Sequence, residues 1–532
     1  MTPLLLGVPL LALAVMQPVV PRPERYGLVL VEGRDTVALE RVTREHRTLR
    51  AEVLVPNRAR LLVTAQTDSL GCVRDADVQV FPWGSASNAT AVQRVNVRLT
   101  GDSVRVDASA RGVSQSLSRP APGVRYVMAE ESIAASSLVV ECAGHLRASG
   151  ADSVAVTTLA FPNLRMRPMR VYWRGDSVML ASTDTSWVRL DASGTATRLV
   201  LGRGRLVVHR VSATDIDALA GAQRVASDYS APSGAPYRAI DVQVRVSPEV
   251  VLAGTLTVPS GTTGRMPAVV TVSGSGGQDR DSYAPIADGW RPFRQLADTL
   301  ARRGIATLRL DDRGIGGSTG DYATSTERTT AADIQAALAY LRARPEIDGR
   351  RLVVLGHSEG ARVAMLVAAQ DSALAGIALL SGAADTRAAT RAQALWLAEH
   401  SSTGGVSRDT VLAIVNRQMD SLAATLPREV FRWNAAELAK DIRVPVGVFH
   451  GRTDRQVPVD QADSLVVVFR RAGNRDVTVH TFADRNHLLV RDSDGDFRRY
   501  SRLPSARLEP DVLGPITDWL VSRLSSRPRD AR

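Results

Sequence analysis

The chain has 532 residues, 44% apolar and 23% charged, with a formal net charge of +11. That length allows two or more domains, and the balance is that of a globular protein with real cores rather than a disordered chain. Lys440 is the only lysine and the arginines are scattered. Patches such as Arg165-Met166-Arg167-Pro168-Met169-Arg170 lack a recognisable nucleic-acid module, so no nucleic-acid partner is expected.

Met1 to Ala14 is apolar and ends in the small-residue pattern Ala12-Leu13-Ala14. It is too short, and too interrupted by Pro3 and Pro9, to span a bilayer. Residues 1–21 therefore read as a signal peptide and exposed start. The expectation is export to the periplasm or medium, without stable membrane insertion. The only cysteines are Cys72 and Cys142. In an exported protein such a pair reads as one disulfide, while two buried thiols is the other reading. No Cys, His and Asp cluster has metal-ligand spacing, so no metal is expected.

Residues 22–211 read as a β-rich, antiparallel N-terminal domain, a sandwich or open barrel. Short alternating strands are separated by Gly101-Asp102-Ser103, Gly150-Ala151-Asp152-Ser153 and Gly175-Asp176-Ser177, each taken as a hairpin turn. The Ala-, Ser- and Pro-rich stretch 212–238 reads as a linker. From 239 to 525 the pattern becomes α/β. Strands are predicted at about 241–246, 251–258, 267–272, 306–310, 352–355, 376–380, 445–449 and 476–480. The later ones are continuous apolar runs, as in a parallel sheet covered on both faces. Helical faces are marked by Phe293, Leu296 and Leu300, and by Ile334, Leu338 and Leu341. An insertion at 384–440, with helical periodicity through Leu395, Leu397, Val411, Ile414 and Leu422, is expected to be a lid. Residues 526–532 read as a disordered tail.

Two G-x-S-x-G matches occur. Gly316-Gly317-Ser318-Thr319-Gly320 has no strand before it and no helix after it, and reads as a glycine-rich loop. Gly356-His357-Ser358-Glu359-Gly360 follows the run Leu352 to Leu355 and precedes a helical face of Val363, Leu366 and Val367. Strand, sharp turn and helix lift a serine hydroxyl above the sheet edge, which makes Ser358 the candidate nucleophile. A serine needs a base and the base needs an orienting group. His487 lies just after the last strand, on the same rim, and is the candidate base. Asp454 follows the strand before that one and is the candidate acid, a turn-capping aspartate being the alternative. Backbone N–H groups of Glu359 and Ser275, the latter in the loop Ser273 to Asp281, are the candidate oxyanion hole, with Gly276 as the alternative donor.

With these motifs, residues about 239–525 resemble the α/β-hydrolase superfamily. Ser273-Gly274-Ser275-Gly276 with Gln278-Asp279-Arg280-Asp281, then Asp312-Arg313-Gly314-Ile315-Gly316, then the Gly356–Gly360 turn, are similar to bacterial carboxylesterases of the serine aminopeptidase-like group. Those relatives often carry proline where this chain has Gly277. The resemblance implies an eight-stranded, mostly parallel sheet and an acyl-enzyme reaction without cofactor. The N-terminal domain resembles no family we can name. The expected activity is hydrolysis of small carboxylic esters with short-to-medium acyl chains, in an apolar pocket lined by Leu395, Trp396, Leu397 and Leu422. A serine peptidase or acyltransferase shares the triad and is the alternative, and a non-catalytic binding protein is a third reading.

Overall fold

The computed structural model describes residues 23–525 except 34, 56–58, 83–88, 111–112, 130–131, 162–164, 183–184, 192–195, 202–205, 223–227, 284–286, 288, 401–408, 411, 414, 418–419 and 421–432. The expected signal peptide and C-terminal tail lie outside the described residues, as do Val411, Ile414 and Leu422 of the insertion. No helix among the described residues is long and apolar enough to cross a membrane.

Fifteen strands between Glu24–Glu32 and Leu206–Ser212 form one sheet, antiparallel apart from Tyr126–Ala129 beside Ser153–Phe161. The strand Val113–Pro120 lies at one edge and Tyr126–Ala129 at the other. Laid flat at about 4.8 Å per strand, those edges would be roughly 65 Å apart. Only residues 121–125 connect them, and such a segment reaches about 20 Å at most. The sheet must therefore curl back on itself, and Tyr126–Ala129 packs against Val73–Pro82. Val63, Val78, Val97, Val156, Val171, Val188 and Val208 fill the inside, each on the inward face of an alternating strand. Two short helices, Ile133–Ser137 and Val139–Leu146, also contribute to that core. Cys142 of the second is joined to Cys72 in a disulfide.

Glu40 is buried in this domain, 2% exposed. It accepts from the Ser132 hydroxyl and from the N–H groups of Ile133 and Ala134, at 3.1 and 3.2 Å for the latter two. Burial nonetheless pushes its carboxyl up to about 7, against the pull of those hydrogen bonds.

The stretch read as a linker from 212 is shorter than expected. Ala213–Ala222 is a helix, started by the Ser212 hydroxyl, which accepts from the Asp215 N–H at 3.1 Å. Ile216 and Ala220, four apart, face Val29, Leu39 and Leu54 on the outside of the curled sheet. Gly27 makes the approach possible, because a Cβ there would sit 2.2 Å from that of Ile216. The turn at 150–153 also departs from expectation: it joins the helix Val139–Leu146 to a strand, not two strands.

The C-terminal sheet has eight strands: β1 (Tyr237–Arg245), β2 (Val251–Pro259), β3 (Met266–Val272), β4 (Ala306–Leu310), β5 (Ile347–His357), β6 (Gly376–Leu380), β7 (Val446–Gly451) and β8 (Val477–Phe482). Their spatial order is β1-β2-β4-β3-β5-β6-β7-β8, antiparallel at β1/β2 and β2/β4 and parallel elsewhere. Helices cover both faces: α1 (Pro292–Ala301), α2 (Glu327–Arg342), α3 (Glu359–Ala368), α4 (Thr386–Glu399), α5 (Ala436–Ala439), α6 (Asp460–Arg471) and α7 (Pro510–Ser525). Alternation in β5 shows how. Leu352 and Val354 join α2, α3 and α6 in one core, while Val353 and Leu355 join α1 and α7 in the other. All parallel strands then end on one rim, and the loops leaving β3, β5, β7 and β8 meet there.

Candidate active site

Ser358 stands between β5 and α3 with φ 55° and ψ −113°. A positive φ is costly for a serine, and the surroundings enforce it. A Cβ on Gly356 would lie 2.0 Å from the Gly360 carbonyl oxygen, and one on Gly360 would lie 2.3 Å from that of Val272. Neither position admits a side chain, so α3 closes directly over the strand ends and the hydroxyl points up from the rim.

The His487 Nε2 lies 3.0 Å from Ser358 Oγ, and its Nδ1 donates to Asp454 Oδ2 at 2.7 Å. Three residues from β5, β7 and β8 loops, far apart in sequence, thus form one hydrogen-bonded line. Asp454 Oδ1 accepts from the N–H groups of Gln456 and Val457, at 2.9 and 2.8 Å. Turn-capping and His487-orienting, posed as alternatives from sequence, are the tasks of its two oxygens. Burial pushes this carboxyl up, but His487 and His450 outweigh it and hold Asp454 well below the usual carboxylate range.

The loop bearing His487 is pinned from several sides. Trp290 Nε1 donates to the Leu488 carbonyl at 3.1 Å, and the Tyr500 hydroxyl accepts from the His487 N–H at 3.3 Å. His357 Nε2 donates to the His487 carbonyl at 2.9 Å. Burial, with His487 nearby, pushes the His357 imidazole down to about 3, so it stays neutral. Gly451 lets the loop close on β7, since a Cβ there would be 2.1 Å from the Arg485 carbonyl oxygen.

The loop after β3 crosses above the nucleophile. A Cβ on Gly274 would lie 3.3 Å from that of Ser358, which brings Ser275 to the same rim as Glu359. Asp312 ties this loop down, accepting from Ser273 Oγ at 2.8 Å and from the Gln278 N–H at 2.9 Å. Asp311 does the same for Arg280, through its N–H and its guanidinium. At Gly277, whose relatives often carry proline, a Cβ would meet Ile315 Cδ1 at 2.6 Å and Pro82 Cγ at 3.2 Å. Pro82 ends the strand Val73–Pro82 of the N-terminal domain.

Residues 291–504 match the prolyl oligopeptidase family, and the matched span encloses Ser358, Asp454 and His487. With the strand order and the strained serine turn, this decides the fold. The C-terminal domain has the α/β-hydrolase fold. A stretch of 107 residues is 35% identical to an uncharacterized protein of Mycobacterium tuberculosis, over 20% of this chain and 33% of that protein. The chain thus spans about a third of the length of the curated relatives it matches. Among solved structures, an esterase of Pyrococcus furiosus is 19% identical, covers 56% of this chain and 95% of its own, and has a TM-score of 0.38. An esterase of Butyrivibrio proteoclasticus, solved with ferulic acid, is 15% identical over 54% of this chain and 100% of its own, at a TM-score of 0.36.

Within the hydrolase domain, the second G-x-S-x-G match is a structural loop. Ser318 Oγ donates to the Asp311 carbonyl at 2.8 Å and accepts from the Ala253 N–H at 2.9 Å, far from the triad residues in role. Of the residues expected to line an apolar pocket, Leu422 lies outside the described residues. A cavity of mixed lining that includes neither Ser358 nor His487 runs under the loop after β3, between Leu252, Leu310, Asp312, Asp333, Ile334 and Val363. Trp396 on α4 instead packs against Phe497 and Arg498, in the 3-10 turn Phe497–Arg502 that carries Tyr500. Sequence reading missed His450, His357, Trp290 and Tyr500 as parts of the hydrolase site. Only His450 had a usable signal, standing four residues before Asp454 at the carboxyl end of a strand.

Proposed function

We propose that this chain is a serine hydrolase that cleaves small carboxylic esters through an acyl-enzyme on Ser358. The observation that carries the reading is the line Ser358–His487–Asp454, at 3.0 and 2.7 Å, beneath a glycine-rich loop. His487 Nε2 takes the hydroxyl proton as Ser358 Oγ bonds to the ester carbonyl carbon. Asp454 stays ionised and holds the imidazolium. The carbonyl oxygen, now an oxyanion, is received by the N–H groups of Ser275 and Glu359. The tetrahedral intermediate expels the alcohol, which leaves with the proton from His487. Water then repeats the sequence, attacking the acyl group and restoring the Ser358 hydroxyl.

An ester fits better than a substrate with a free amino terminus. Carboxylates of the elements flanking Ser358 are already engaged: Asp312 by Ser273 and Gln278, and Glu359 by Arg362 at 3.6 Å. The prolyl oligopeptidase match favours a second reading, cleavage of a peptide bond by the same triad. Export to the periplasm or medium belongs to this proposal, and a disulfide between Cys72 and Cys142 is in keeping with it.

The test compares p-nitrophenyl acetate, butyrate and octanoate with prolyl and alanyl p-nitroanilides, after active-site labelling with a fluorophosphonate. Labelling at Ser358 and faster turnover of the short esters is the expected result. Faster turnover of an anilide replaces the ester reading with the peptidase. A protein that does not label at all is no serine hydrolase.

A further inference from the structure

His450 closes β7, and its ring is fully buried, 0% exposed. Two acceptors face its Nε2: the Val457 carbonyl at 2.8 Å and Asp454 Oδ2 at 3.3 Å. A nitrogen between two acceptors must carry a proton, so this ring is the Nε2–H tautomer. Its Nδ1 is buried and has no hydrogen-bond partner. The ring is therefore held from one side only, by the segment that presents the carboxylate to His487. An apolar side chain of similar size would strand no nitrogen but would leave the Val457 carbonyl without this donor, so the ring serves the turn as well as the carboxylate.

The two acceptors explain it. Asp454 Oδ1 is fixed by the N–H groups of Gln456 and Val457. Those bonds set the turn and hold one oxygen; the position of the other is set by what donates to it. Oδ2 receives His487 Nδ1 from one direction and His450 Nε2 from another. By gripping the Val457 carbonyl as well, the same N–H ties the turn to the end of β7, so strand, turn and carboxylate move as one body. We propose that His450 is a positioning residue for catalysis, a second imidazole donor that fixes Asp454 Oδ2 in line with His487. It touches no reacting atom. This inference rests on the triad reading above.

The expected consequence is selective. Displacing an orienting group slightly can cost up to about 100-fold in rate, while fully buried His450 offers a substrate no surface to bind. The experiment measures p-nitrophenyl butyrate turnover and fluorophosphonate labelling for the wild-type chain and for His450→Leu, His450→Asn and His450→Gln, with folding followed by circular dichroism. His450→Leu should lose about 10- to 100-fold in kcat with KM within about twofold. His450→Gln, whose amide can still donate towards Oδ2, should recover most of that loss, and the shorter His450→Asn should not. The far-downfield proton resonance of the His487–Asp454 hydrogen bond should move in the leucine variant and return in the glutamine variant.

Unchanged kcat in folded His450→Leu overturns the proposal. So does equal loss in the asparagine and glutamine variants, which would mark a general packing defect. If the leucine variant does not fold, the asparagine and glutamine pair decides the matter alone. A wild-type chain that fails to label removes the triad reading itself, an outcome distinct from a labelled wild type beside an unaffected variant.

Discussion

The N-terminal sheet is antiparallel and buries one face of each strand inside its own curl, whereas the C-terminal sheet is mostly parallel and buries both faces under helices. In the first, hairpins alternate between the two ends of the strands, so loops are divided evenly. In the second, every parallel strand delivers its carboxyl end to the same rim. Residues 358, 454 and 487 meet because β5, β7 and β8 run in one direction. The comparison teaches where chemistry can be collected: strand direction, more than sheet size, gathers distant residues at one point.

The contrast is broken most directly on the C-terminal side. Ser358→Ala or His487→Ala should cost up to about a millionfold in ester turnover, and Asp454→Asn about 10⁴-fold through the wrong tautomer. Circular dichroism should show both sheets intact. Substantial ester turnover by Ser358→Ala would mean that the chemistry is done elsewhere.

On the N-terminal side the large effects should be on stability. The disulfide closes a segment with a sequence separation of 70. Replacing both cysteines with serine should destabilise the curled sheet by about 4 kcal/mol in the loop-entropy model. Calorimetry should show the N-terminal transition falling while the midpoint for loss of ester turnover stays in place. If the two fall together, the domains unfold as one unit.

Glu40 gives a smaller effect with a definite sign. Its folded carboxyl lies at about 7, above the ordinary value of 4.5, so burial favours the protonated form. Below pH 4.5 it is protonated folded or unfolded, and its contribution is fully present. As pH rises from about 4.5 to 7, the unfolded chain ionises first and roughly 3 kcal/mol of N-terminal stability is lost. Glu40→Gln should flatten that slope, and an unchanged slope would assign it to another group. Smallest of all, Ser318→Ala should cost about 1 kcal/mol from lost buried hydrogen bonds and leave turnover alone. A large fall in turnover would revive the discarded serine motif.

Much of the hydrolase domain was legible because its signals are local. Buried parallel strands are continuous apolar runs, and the glycines around Ser358 mark contacts within five residues. Asp454 and His487 could be placed because each follows a strand whose end is visible. The supporting shell was not legible for the opposite reason. Trp290 and Tyr500 reach the His487 loop from the far side of the domain, and nothing in their own neighbourhoods signals it. The N-terminal domain hid its organisation likewise. Which strand pairs with Glu24–Glu32 is decided by Leu206–Ser212, almost the whole domain away. The helix Ala213–Ala222 opens the stretch 212–238, whose alanine, serine and proline as a whole suggest a linker; Ser212, Asp215 and the Ile216–Ala220 pair are the better guide.

The contact of Pro82 and Ile315 with the bare backbone of Gly277 joins the histories of the two domains. A side chain at position 277 would have to displace Ile315 and press Pro82 back by a few tenths of an ångström, however well a stiffer loop would suit its neighbours at the rim. A lineage that lost the N-terminal sheet would be released from half of that restriction. Position 277 should then drift towards larger residues in step with position 82, and the pair would record, in sequence alone, whether the front domain still leans on the site.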